Sequence, residues 1–421
     1  MKKLLYACLS ESGGVLDYAV YQAGALLKDA SKRDGNGFEL HFLCQNSFPV
    51  ERLPAGIKVW EFEKSRESRV ESRGLLGKIL RVLRMISDLR LEAKQVARLA
   101  HQLQHTSSTR HELPSTRHRS GPAEVAVLFD CYKEYFAPFW IWPLRRLAKK
   151  GVVMGTIAHD PVRDFVVGPL WWHRCSVRLG YSFVRHVFVH DDTPVDFGGK
   201  RPEGIAVHQI PFGAYPLSPP RGGREEVRNR FGFANSDIVF FAFGQIRDGK
   251  NLDLFLRAMT KLPENVKLLV AGKGHSGSSK PPEFYQDLAE ELGVAERCRF
   301  EIRRIPDEEV GDLFNAIDFT LLTYSAKFRS MSAVLATALT ARKPVLASSG
   351  LGPLKTMVEK YELGVFVKPD DPEEILRGAT KLVPSSATGK CEFMLQPEWE
   401  RYERENSWEE NARRVCQAFE S

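Results

Sequence analysis

Long apolar runs are missing from this sequence of 421 residues. The longest apolar stretch without charge spans residues 135–144, contains two prolines and falls well short of the roughly 20 residues that a membrane-spanning helix needs. Near the first residue the apolar part covers only residues 4–9, whereas the core of a signal peptide takes roughly 7–15 residues. We therefore expect no membrane span and no signal peptide, and we interpret residues 4–9 as a first buried strand.

Closely spaced cysteines are missing too, because the seven Cys are scattered and never occur as Cys-x-x-Cys. This pattern predicts reduced thiols in a cytoplasmic protein and excludes a disulfide framework and a structural zinc site. The sequence also contains no Gly-x-Ser-x-Gly and no Gly-Lys-Ser/Thr phosphate loop, which excludes two common kinds of catalytic site. Asp191-Asp192 is interpreted as a turn, and we expect no bound metal and no tightly bound cofactor.

Acidic residues are scarce in one segment. Residues 64–119 carry 13 Lys and Arg against 5 Asp and Glu, a balance of +8 in a chain whose net charge is +7. Within that segment, residues 75–103 have the spacing of a long basic amphipathic helix. Its apolar stripe consists of Leu76, Ile79, Leu80, Leu83 and Ile86. Residues 105–122 have no periodicity and predict a loop.

Two interpretations of this helix are open. Together with the aromatic runs at residues 135–142 and 168–173, it suits docking onto an anionic membrane surface. Alternatively, the aromatic residues belong to the core and the helix packs its apolar stripe against a sheet. We expect no nucleic-acid partner, because no recognisable binding module accompanies the positive charge.

Strands and helices alternate along the rest of the chain, which predicts an α/β fold with doubly wound parallel sheets. In the first half, the predicted strands cover residues 4–9, 38–44, 57–62, 125–129, 152–158, 187–189 and 206–210. In the second half they cover residues 238–243, 266–271, 298–302, 319–322, 345–347 and 364–367. Residues 211–223 are dense in Pro and Gly and predict a domain boundary, and residues 399–419 predict one long charged helix.

Glycine marks three junctions between a strand and a turn, namely Gly13-Gly14, Gly244 and Gly272-Lys273-Gly274. At each junction, backbone N–H groups can face a phosphate, although a glycine can also serve only to fit a turn with positive φ. Arg247 and Lys250 directly follow the strand at residues 238–243, and two cations at the carboxyl end of a strand suit a diphosphate. The sequence therefore predicts an anionic ligand in a cleft between two sheets.

These segments resemble the GT-B glycosyltransferases, specifically glycosyltransferase family 4. The second half carries the resemblance in FAFGQIRDGKNLDLFLRAM, VKLLVAGKG, DEEVGDLFNAIDFTLLTYSA, SAVLATALTARKPVLAS and GVFVKPDDPEEILRGA. The first half is similar more loosely, through AHDPVRDF, VFVHDD and HQIPFGAYP. The resemblance implies two Rossmann-like domains facing across a cleft. Residues 1–213 would form the acceptor side, residues 214–395 the nucleotide-sugar side, and residues 396–421 a helix that crosses back.

The resemblance also implies roles for individual residues. Lys250 matches a lysine of the family, Gln245 stands where the family has arginine, and Arg247 can supply that cation from two residues along. His159 matches a cleft histidine that contacts the sugar near the reacting carbon, and Gly13 and Gly14 would lie near the diphosphate and the acceptor. The remaining residues expected at the donor are Gly244, Gly272, Lys273, Gly274, Arg329, Ser332, Ala333 and Thr337.

The sequence departs from the family at two of these positions. A pair of glutamates, the first holding sugar hydroxyls and the second the ribose, is replaced by Arg329 and Thr337. Three explanations are open. The donor pocket is altered, for example for an acidic sugar; the ribose contact comes from elsewhere, such as Glu301 or Asp307; or catalysis has been lost while the fold was kept.

The resemblance thus implies a metal-independent glycosyltransferase of the cytoplasm, with a nucleotide-diphosphate sugar as co-substrate and retention of configuration. The acceptor would be a hydroxyl of a glycan or a lipid-linked molecule in polysaccharide or cell-envelope assembly, and residues 75–103 would place the protein on the inner face of a membrane. The alternative is a catalytically silent GT-B protein that binds a nucleotide or a glycan within an assembly complex.

Overall fold

The computed structural model of the chain describes residues 2–9, 14–32, 37–64, 75–106, 125–131, 133–163, 166–275, 279–383 and 396–421. The chain forms two compact units. Unit 1 comprises Met1–Pro211 together with Trp408–Ser421, and unit 2 comprises Phe212–Ser407. The sequence predicts the domain boundary between residues 213 and 214, within the Pro/Gly-rich segment. In the structure, the chain passes from unit 1 to unit 2 between Pro211 and Phe212.

Unit 1 contains, in its described residues, a parallel sheet of seven strands in the order β3-β2-β1-β4-β5-β6-β7. The strands are β1 (Lys2–Ala7), β2 (Phe38–Gln45), β3 (Lys58–Phe62), β4 (Val125–Phe129), β5 (Val153–Ile157), β6 (His186–Val189) and β7 (Ala206–Gln209). The helices between them are α1 (Gly14–Ser31), α2 (Leu75–Thr106), α3 (Ala137–Trp140), α4 (Trp142–Lys149) and α5 (Leu170–Gly180). All five residues of β4 are buried, as expected for a parallel strand covered on both faces.

The described part of unit 2 contains a second parallel sheet, of six strands in the order β10-β9-β8-β11-β12-β13. The strands are β8 (Ile238–Phe243), β9 (Val266–Ala271), β10 (Cys298–Glu301), β11 (Phe319–Thr323), β12 (Val345–Ser348) and β13 (Gly364–Phe366). The helices are α6 (Arg224–Arg230), α7 (Leu252–Met259), α8 (Pro282–Glu291), α9 (Asp307–Ala316), α10 (Ala333–Thr340), α11 (Pro353–Lys360), α12 (Pro372–Leu382) and α13 (Trp399–Glu405). Every predicted strand of both halves is therefore found.

The predicted single helix at residues 399–419 is wrong, because the chain forms α13 and then a separate helix, α14 (Trp408–Glu420). Asn406 leaves the helical conformation with φ −122° and ψ 39°. Its side-chain amide donates to the hydroxyl of Tyr361 at 2.9 Å and to the carbonyl of Tyr402 at 3.1 Å. The break separates α13, which belongs to unit 2, from α14, which belongs to unit 1.

The predicted basic helix is found as α2, but its apolar stripe is not packed as a whole. Ile79, Leu80 and Leu83 are exposed, whereas Ile86 is buried, and the side chain of Leu76 lies outside the described residues. The second half of the helix is the part that packs, through residues such as Leu89, Val96 and Leu103. No helix in the described part of the chain is both long and apolar enough to cross a membrane.

The described residues of unit 1 expose apolar side chains on or next to α2–α5, and these side chains are grouped here under the name exposed apolar face. It consists of Ile79, Leu80, Val82 and Leu83 on α2, Phe139, Trp142 and Val166, and Leu170 and Trp171 on α5. Trp171 is 70% exposed and Trp142 51%. The helices that carry this face touch one another: α3 contacts α2, α4 and α5, and Arg90 of α2 donates to the carbonyl of Phe139 at 2.8 Å. The interpretation of all these aromatic residues as core is therefore wrong, although Trp140 is buried.

Candidate functional site

The strand order of unit 2 reverses between β8 and β11, which are neighbours in the sheet. The strands that precede β11 in the chain lie on one side of this pair, and those that follow lie on the other. In an open parallel sheet, the carboxyl ends of the strands at such a switch point border a crevice that binds ligands. The loops after β8 and β11 therefore form the candidate site.

Glycine is required at two positions beside this crevice. Gly244 follows β8 with φ +82°, and Gly272 follows β9 with φ +150°, a region that glycine alone occupies readily. A Cβ atom on Gly272 would lie 2.1 Å from the carbonyl oxygen of Gly244, so the two loops are pressed together. Further along, the N–H of Ile246 donates to the carbonyl of Lys273 at 2.9 Å, and Ile246 and Gly274 form a parallel bridge.

Lys250 points back toward the end of β8. Its ammonium group donates to the carbonyl of Phe243 and lies 3.6 Å from the position of a Cβ on Gly244. Burial and, to a smaller extent, the nearby charge of Arg247 together lower the pKa of Lys250 to about 7. The charge of Arg247 therefore disfavours the protonated form of Lys250, whereas an anion bound beside Lys250 would favour it.

The N-terminus of α10 reaches the same point. Ser332 caps the helix, with its hydroxyl accepting from the N–H of Leu335 at 3.3 Å and lying 3.0 Å from the hydroxyl of Tyr324. Val334, in the first turn, lies 3.7 Å from the Cβ position of Gly244. The first N–H groups of a helix have no partner within it and carry the positive end of its dipole. A cation, a glycine turn and a helix N-terminus thus converge in unit 2.

Arg247 lies against the loop that follows β11. Its guanidinium is 5.9 Å from the ring centre of Phe328, and that ring packs on Tyr324 at 4.3 Å. The N–H of Ser325 donates to the carbonyl of Gly249 at 2.9 Å, which joins the two loops through their main chains. The cation is therefore held beside the crevice by an aromatic ring, and no acceptor in the described part of the chain bonds its guanidinium.

Two acidic residues near the crevice serve to fix the loops. Asp248 accepts from the N–H groups of Ser279 and Lys280 at 2.8 and 2.9 Å, and these bonds hold its pKa below the ordinary value against the effect of burial. Asp370 accepts from the amide of Asn251 at 2.8 Å and from the N–H of Ala326 at 2.9 Å. Both carboxylates are thus engaged within the protein.

The two positions where the resemblance leads us to expect glutamates have different surroundings. Arg329 is exposed in the loop after β11, and among the described residues no acceptor bonds its side chain. Thr337 is buried, and its hydroxyl donates to the carbonyl of Ala333 at 3.2 Å. Of the proposed substitutes, Glu301 accepts from the Nε of Arg303 at 3.1 Å, whereas Asp307 is exposed in the first turn of α9.

The remaining predicted residues lie in both units. Gln245 and Lys273 are exposed beside Gly244 and Gly272 in unit 2. In unit 1, Gly14 begins α1 and Gly13 lies outside the described residues.

His159 of unit 1 follows β5 and has polar neighbours that the sequence did not reveal. Its Nδ1 lies 3.3 Å from Nε2 of His190, and its ring packs edge-on against Tyr18 at 4.7 Å. Burial lowers the pKa of His159 to about 4 and that of His190 to about 3. Nε2 of His159 is buried without a hydrogen-bond partner in the described chain. A neutral histidine pair therefore stands at the carboxyl ends of β5 and β6.

Asp130 also escaped the sequence analysis. It directly follows β4, is fully buried and accepts from the N–H groups of Leu9 at 3.0 Å and Cys131 at 2.6 Å. It therefore bridges the ends of β1 and β4, where the strand order of unit 1 reverses. An acidic residue directly after a fully apolar strand was the available signal. His101 and His105, spaced as His-x-x-x-His and 3.1 Å apart on α2, were overlooked in the same way.

Comparison with solved structures identifies the fold. The Anabaena protein HepE in complex with UDP-glucose aligns with a TM-score of 0.63 at 15% identity, covering 100% of this chain and 98% of that one. The apo form of WaaB, a lipopolysaccharide outer core galactosyltransferase, aligns with a TM-score of 0.61 at 14% identity, covering 99% of each chain. The fold is α/β of the GT-B class, which confirms the predicted fold class.

Comparison of sequences adds a family match to the second half. Residues 223–414 match the family described as glycosyl transferases group 1. A D-inositol 3-phosphate glycosyltransferase of Thermomonospora curvata is 32% identical over 170 residues, 38% of each chain. Its counterpart in Mycobacterium marinum is 33% identical over 178 residues, 41% of this chain and 36% of the relative. The chain thus matches less than two fifths of the length of these relatives, and the family match lies within its second half.

Proposed function

We propose that the protein is a glycosyltransferase that moves a sugar from a nucleotide-diphosphate donor to a hydroxyl of a glycan or lipid-linked acceptor. The observation that carries the proposal is the convergence of Gly244, Lys250 and the N-terminus of α10 at the switch point of unit 2. The family match of residues 223–414 supports it. So do the inositol 3-phosphate glycosyltransferases among the relatives and the UDP-glucose bound to HepE.

In this proposal the donor diphosphate lies against Lys250, Ser332, the N–H of Ala333 and the turn at Gly244. As the bond between the anomeric carbon and the diphosphate oxygen breaks, negative charge accumulates on the leaving group. Lys250 and Arg247 stabilise that charge, which makes them the proposed catalytic cations. Removing one preorganised contact of this kind costs about 10²–10³ in rate.

The remaining donor contacts are proposed as follows. Gln245 and Gly272-Lys273-Gly274 border the nucleotide, and Thr337 accepts from a ribose hydroxyl while donating to Ala333. Thr337 is preferred over Glu301, whose carboxylate is already paired with Arg303.

His159 is proposed to contact the sugar near the reacting carbon, with Gly13 and Gly14 near the diphosphate and acceptor. Its lowered pKa supports a neutral ring at pH 7, and its Nε2, for which the described residues offer no hydrogen-bond partner, supports a role as a hydrogen-bonding group.

Retention of configuration and independence of metal ions belong to the same proposal. The two cations supply positive charge where the leaving diphosphate needs it, so kinetics unchanged by a chelator are expected. Attack on the face from which the diphosphate departs requires no nucleophile from the protein, and NMR of the product's anomeric centre tests it.

Titration with UDP, GDP and ADP, followed by the thermal midpoint, tests the donor site. A ligand that binds only the native state raises that midpoint by mass action, by the equivalent of about 2.7 kcal/mol at a hundred times its Kd. We expect a rise with one nucleotide that is lost in Lys250→Ala. The exposed Lys261→Ala, on the surface of unit 2, is the matched control and should keep the rise. No rise with any nucleotide at millimolar concentration contradicts the proposal.

A catalytically silent GT-B protein is the second proposal, favoured by Arg329 and Thr337 at the positions of the family's glutamates. It predicts nucleotide binding without turnover. Release of free nucleotide from the donor, measured with and without a membrane extract that supplies acceptors, separates the two proposals. Release that depends on the extract and is lost in Lys250→Ala supports the enzyme.

We also propose that unit 1 contacts an anionic membrane surface on the cytoplasmic side. The exposed apolar face supports this, because Trp142 and Trp171 suit the membrane interface. On α4, Arg145 lies over the ring of Trp142 at 5.2 Å, Arg146 and Lys149 are exposed, and no acidic residue interrupts them. The contact extends the one expected through residues 75–103 to α4 and α5, and it would bring the protein to a lipid-linked acceptor.

Sedimentation with vesicles tests the membrane contact. We expect binding to vesicles that contain phosphatidylglycerol and a clear loss in the double variant Trp142→Ala/Trp171→Ala. Leu351→Ala is the control, because Leu351 is 74% exposed but lies in unit 2. Binding that is equal for neutral vesicles, or unchanged in the double variant, contradicts the proposal.

A further inference from the structure

Positively charged residues are concentrated in the loops that border the unit 2 crevice. The described loops after β8 and β11 carry four cations and one acid, and the cations are Arg247, Lys250, Lys327 and Arg329. The acid, Asp248, is engaged by Ser279 and Lys280, and Asp370 from the neighbouring loop is engaged by Asn251 and Ala326. No ion pair in the described chain joins any of these four cations to a carboxylate, so an anionic ligand would meet unpaired cations here.

We propose that Arg329 selects a donor whose transferred sugar carries a carboxylate, that is, a uronic acid in preference to a neutral hexose. This inference rests on the proposed function, because it assigns the donor diphosphate to Lys250 and Arg247. Those two cations and the N-terminus of α10 are assigned to the diphosphate, which leaves Arg329, in the loop after β11 that borders the same crevice, for the sugar.

The main chain at Arg329 is fixed by contacts with the loop that follows β12. The N–H of Gly350 donates to the carbonyl of Phe328 at 2.9 Å, and a Cβ on Gly352 would lie 2.6 Å from the carbonyl oxygen of Arg329. The ring of Phe328 is itself fixed between Tyr324 and Arg247. The base of the Arg329 side chain is thus fixed on two sides, whereas its guanidinium is exposed and has no bonded acceptor in the described chain.

The chemistry of the guanidinium points to a carboxylate. Its planar fork donates two parallel hydrogen bonds to a carboxylate, and such charge-assisted pairs are stronger than bonds to hydroxyls. A neutral hexose also needs acceptors for its hydroxyl protons, whereas the carboxylates of these loops, Asp248 and Asp370, already accept hydrogen bonds within the protein. A uronic acid matches the cationic rim, whereas a hexose leaves it without a partner.

Calorimetric titration of the intact protein tests the inference with a uronate and hexose pair that share one nucleotide. The pair is UDP-glucuronic acid with UDP-glucose if UDP binds, or GDP-mannuronic acid with GDP-mannose if GDP binds. We expect the uronate to bind at least about tenfold more tightly, as one charge-assisted pair allows. In Arg329→Gln this ratio should fall to near one, and in Arg329→Glu it should invert. Lys261→Gln, which removes an exposed cation of unit 2 outside the crevice, is the control and should keep the ratio.

The outcomes separate this inference from the proposed function. If neither the nucleotide diphosphates nor their sugars bind, the proposed donor site fails, and the inference fails with it. If the diphosphate binds but the uronate and the hexose bind equally, the donor site stands and the inference is overturned. A preference for the uronate that survives in Arg329→Gln also overturns it, because another residue then reads the carboxylate.

Discussion

Lys250 holds an ammonium group where burial and Arg247 both oppose its charge, which lowers its pKa to about 7. At neutral pH the free protein therefore divides between charged and neutral forms. A diphosphate favours the charged form, so binding near and above pH 7 takes up a proton. Nucleotide binding and protonation of one lysine are thus linked.

We predict that the affinity for the nucleotide diphosphate falls as pH rises above about 7, by up to about tenfold for each pH unit. The sign follows because the native pKa of Lys250 is lowered, so the form that binds is progressively lost as protons become scarce. Lys250→Arg keeps its charge and should show a flatter profile. Titration calorimetry from pH 7 to 9 measures this, and equal slopes in both proteins would contradict it.

His159 and His190 give a second pH dependence. Their native pKa values, about 4 and about 3, lie below the unfolded value near 6.5. Between those values the unfolded chain binds more protons, so lowering the pH from about 6.5 toward 4 should reduce the free energy of unfolding. The limit is about 1.4 kcal/mol per pH unit for each histidine.

Urea unfolding at a series of pH values measures that slope. In His190→Gln the slope should be shallower over this range, whatever offset the substitution adds to the stability at neutral pH. Parallel curves for the two proteins would show that the pair does not titrate as its burial indicates.

At the scale of elements, the loops after β8 and β9 are in close contact, because the carbonyl of Gly244 leaves no space for a side chain at Gly272. We predict that Gly272→Ala lowers the free energy of unfolding by more than about 2 kcal/mol and weakens nucleotide binding, since it adds a steric clash to backbone strain. Gly293→Ala is the matched control. Gly293 has φ +68° in open space, so only the backbone term of about 1 kcal/mol remains. Chemical denaturation and calorimetry compare the two, and similar losses would contradict the close contact.

Apolar runs between turn residues made the strands of both sheets predictable, down to the exact bounds of β8 and β9. The break between α13 and α14 was not predictable, because the partner of Asn406 is Tyr361, which lies 45 residues away. The exposure of Leu83 was not predictable either. Helical periodicity identifies an apolar stripe, but it does not show whether another element packs against that stripe. Tyr18 and His190 lie beside His159 only because the fold brings them together, so no local sequence motif predicted these contacts.

At the scale of the molecule, unit 1 is completed by α14, which packs on α1. Asn411 is fully buried there. Its amide donates to the hydroxyl of Tyr18 at 2.8 Å and to the carbonyl of Pro211 at 2.7 Å, and its oxygen accepts from Gln22 at 2.7 Å. One side chain thus joins three separate stretches of the sequence.

We predict that Asn411→Ala lowers the free energy of unfolding by about 2–4 kcal/mol, since it leaves buried partners without their hydrogen bonds. Arg413→Ala on the exposed side of the same helix should have a much smaller effect. Urea unfolding followed by far-UV circular dichroism measures both. A loss for Asn411→Ala no larger than that for Arg413→Ala would show that the network does not stabilise unit 1.

The placement of α14 has a consequence for the order in which the protein is made. Unit 2 is one continuous stretch of chain, whereas unit 1 is encoded in two stretches that flank it. During translation, the seven strands of unit 1 leave the ribosome first, yet the helix that covers Tyr18 and Gln22 arrives only after all of unit 2 has been synthesised. Part of the surface of unit 1 therefore stays uncovered until α14 has been synthesised.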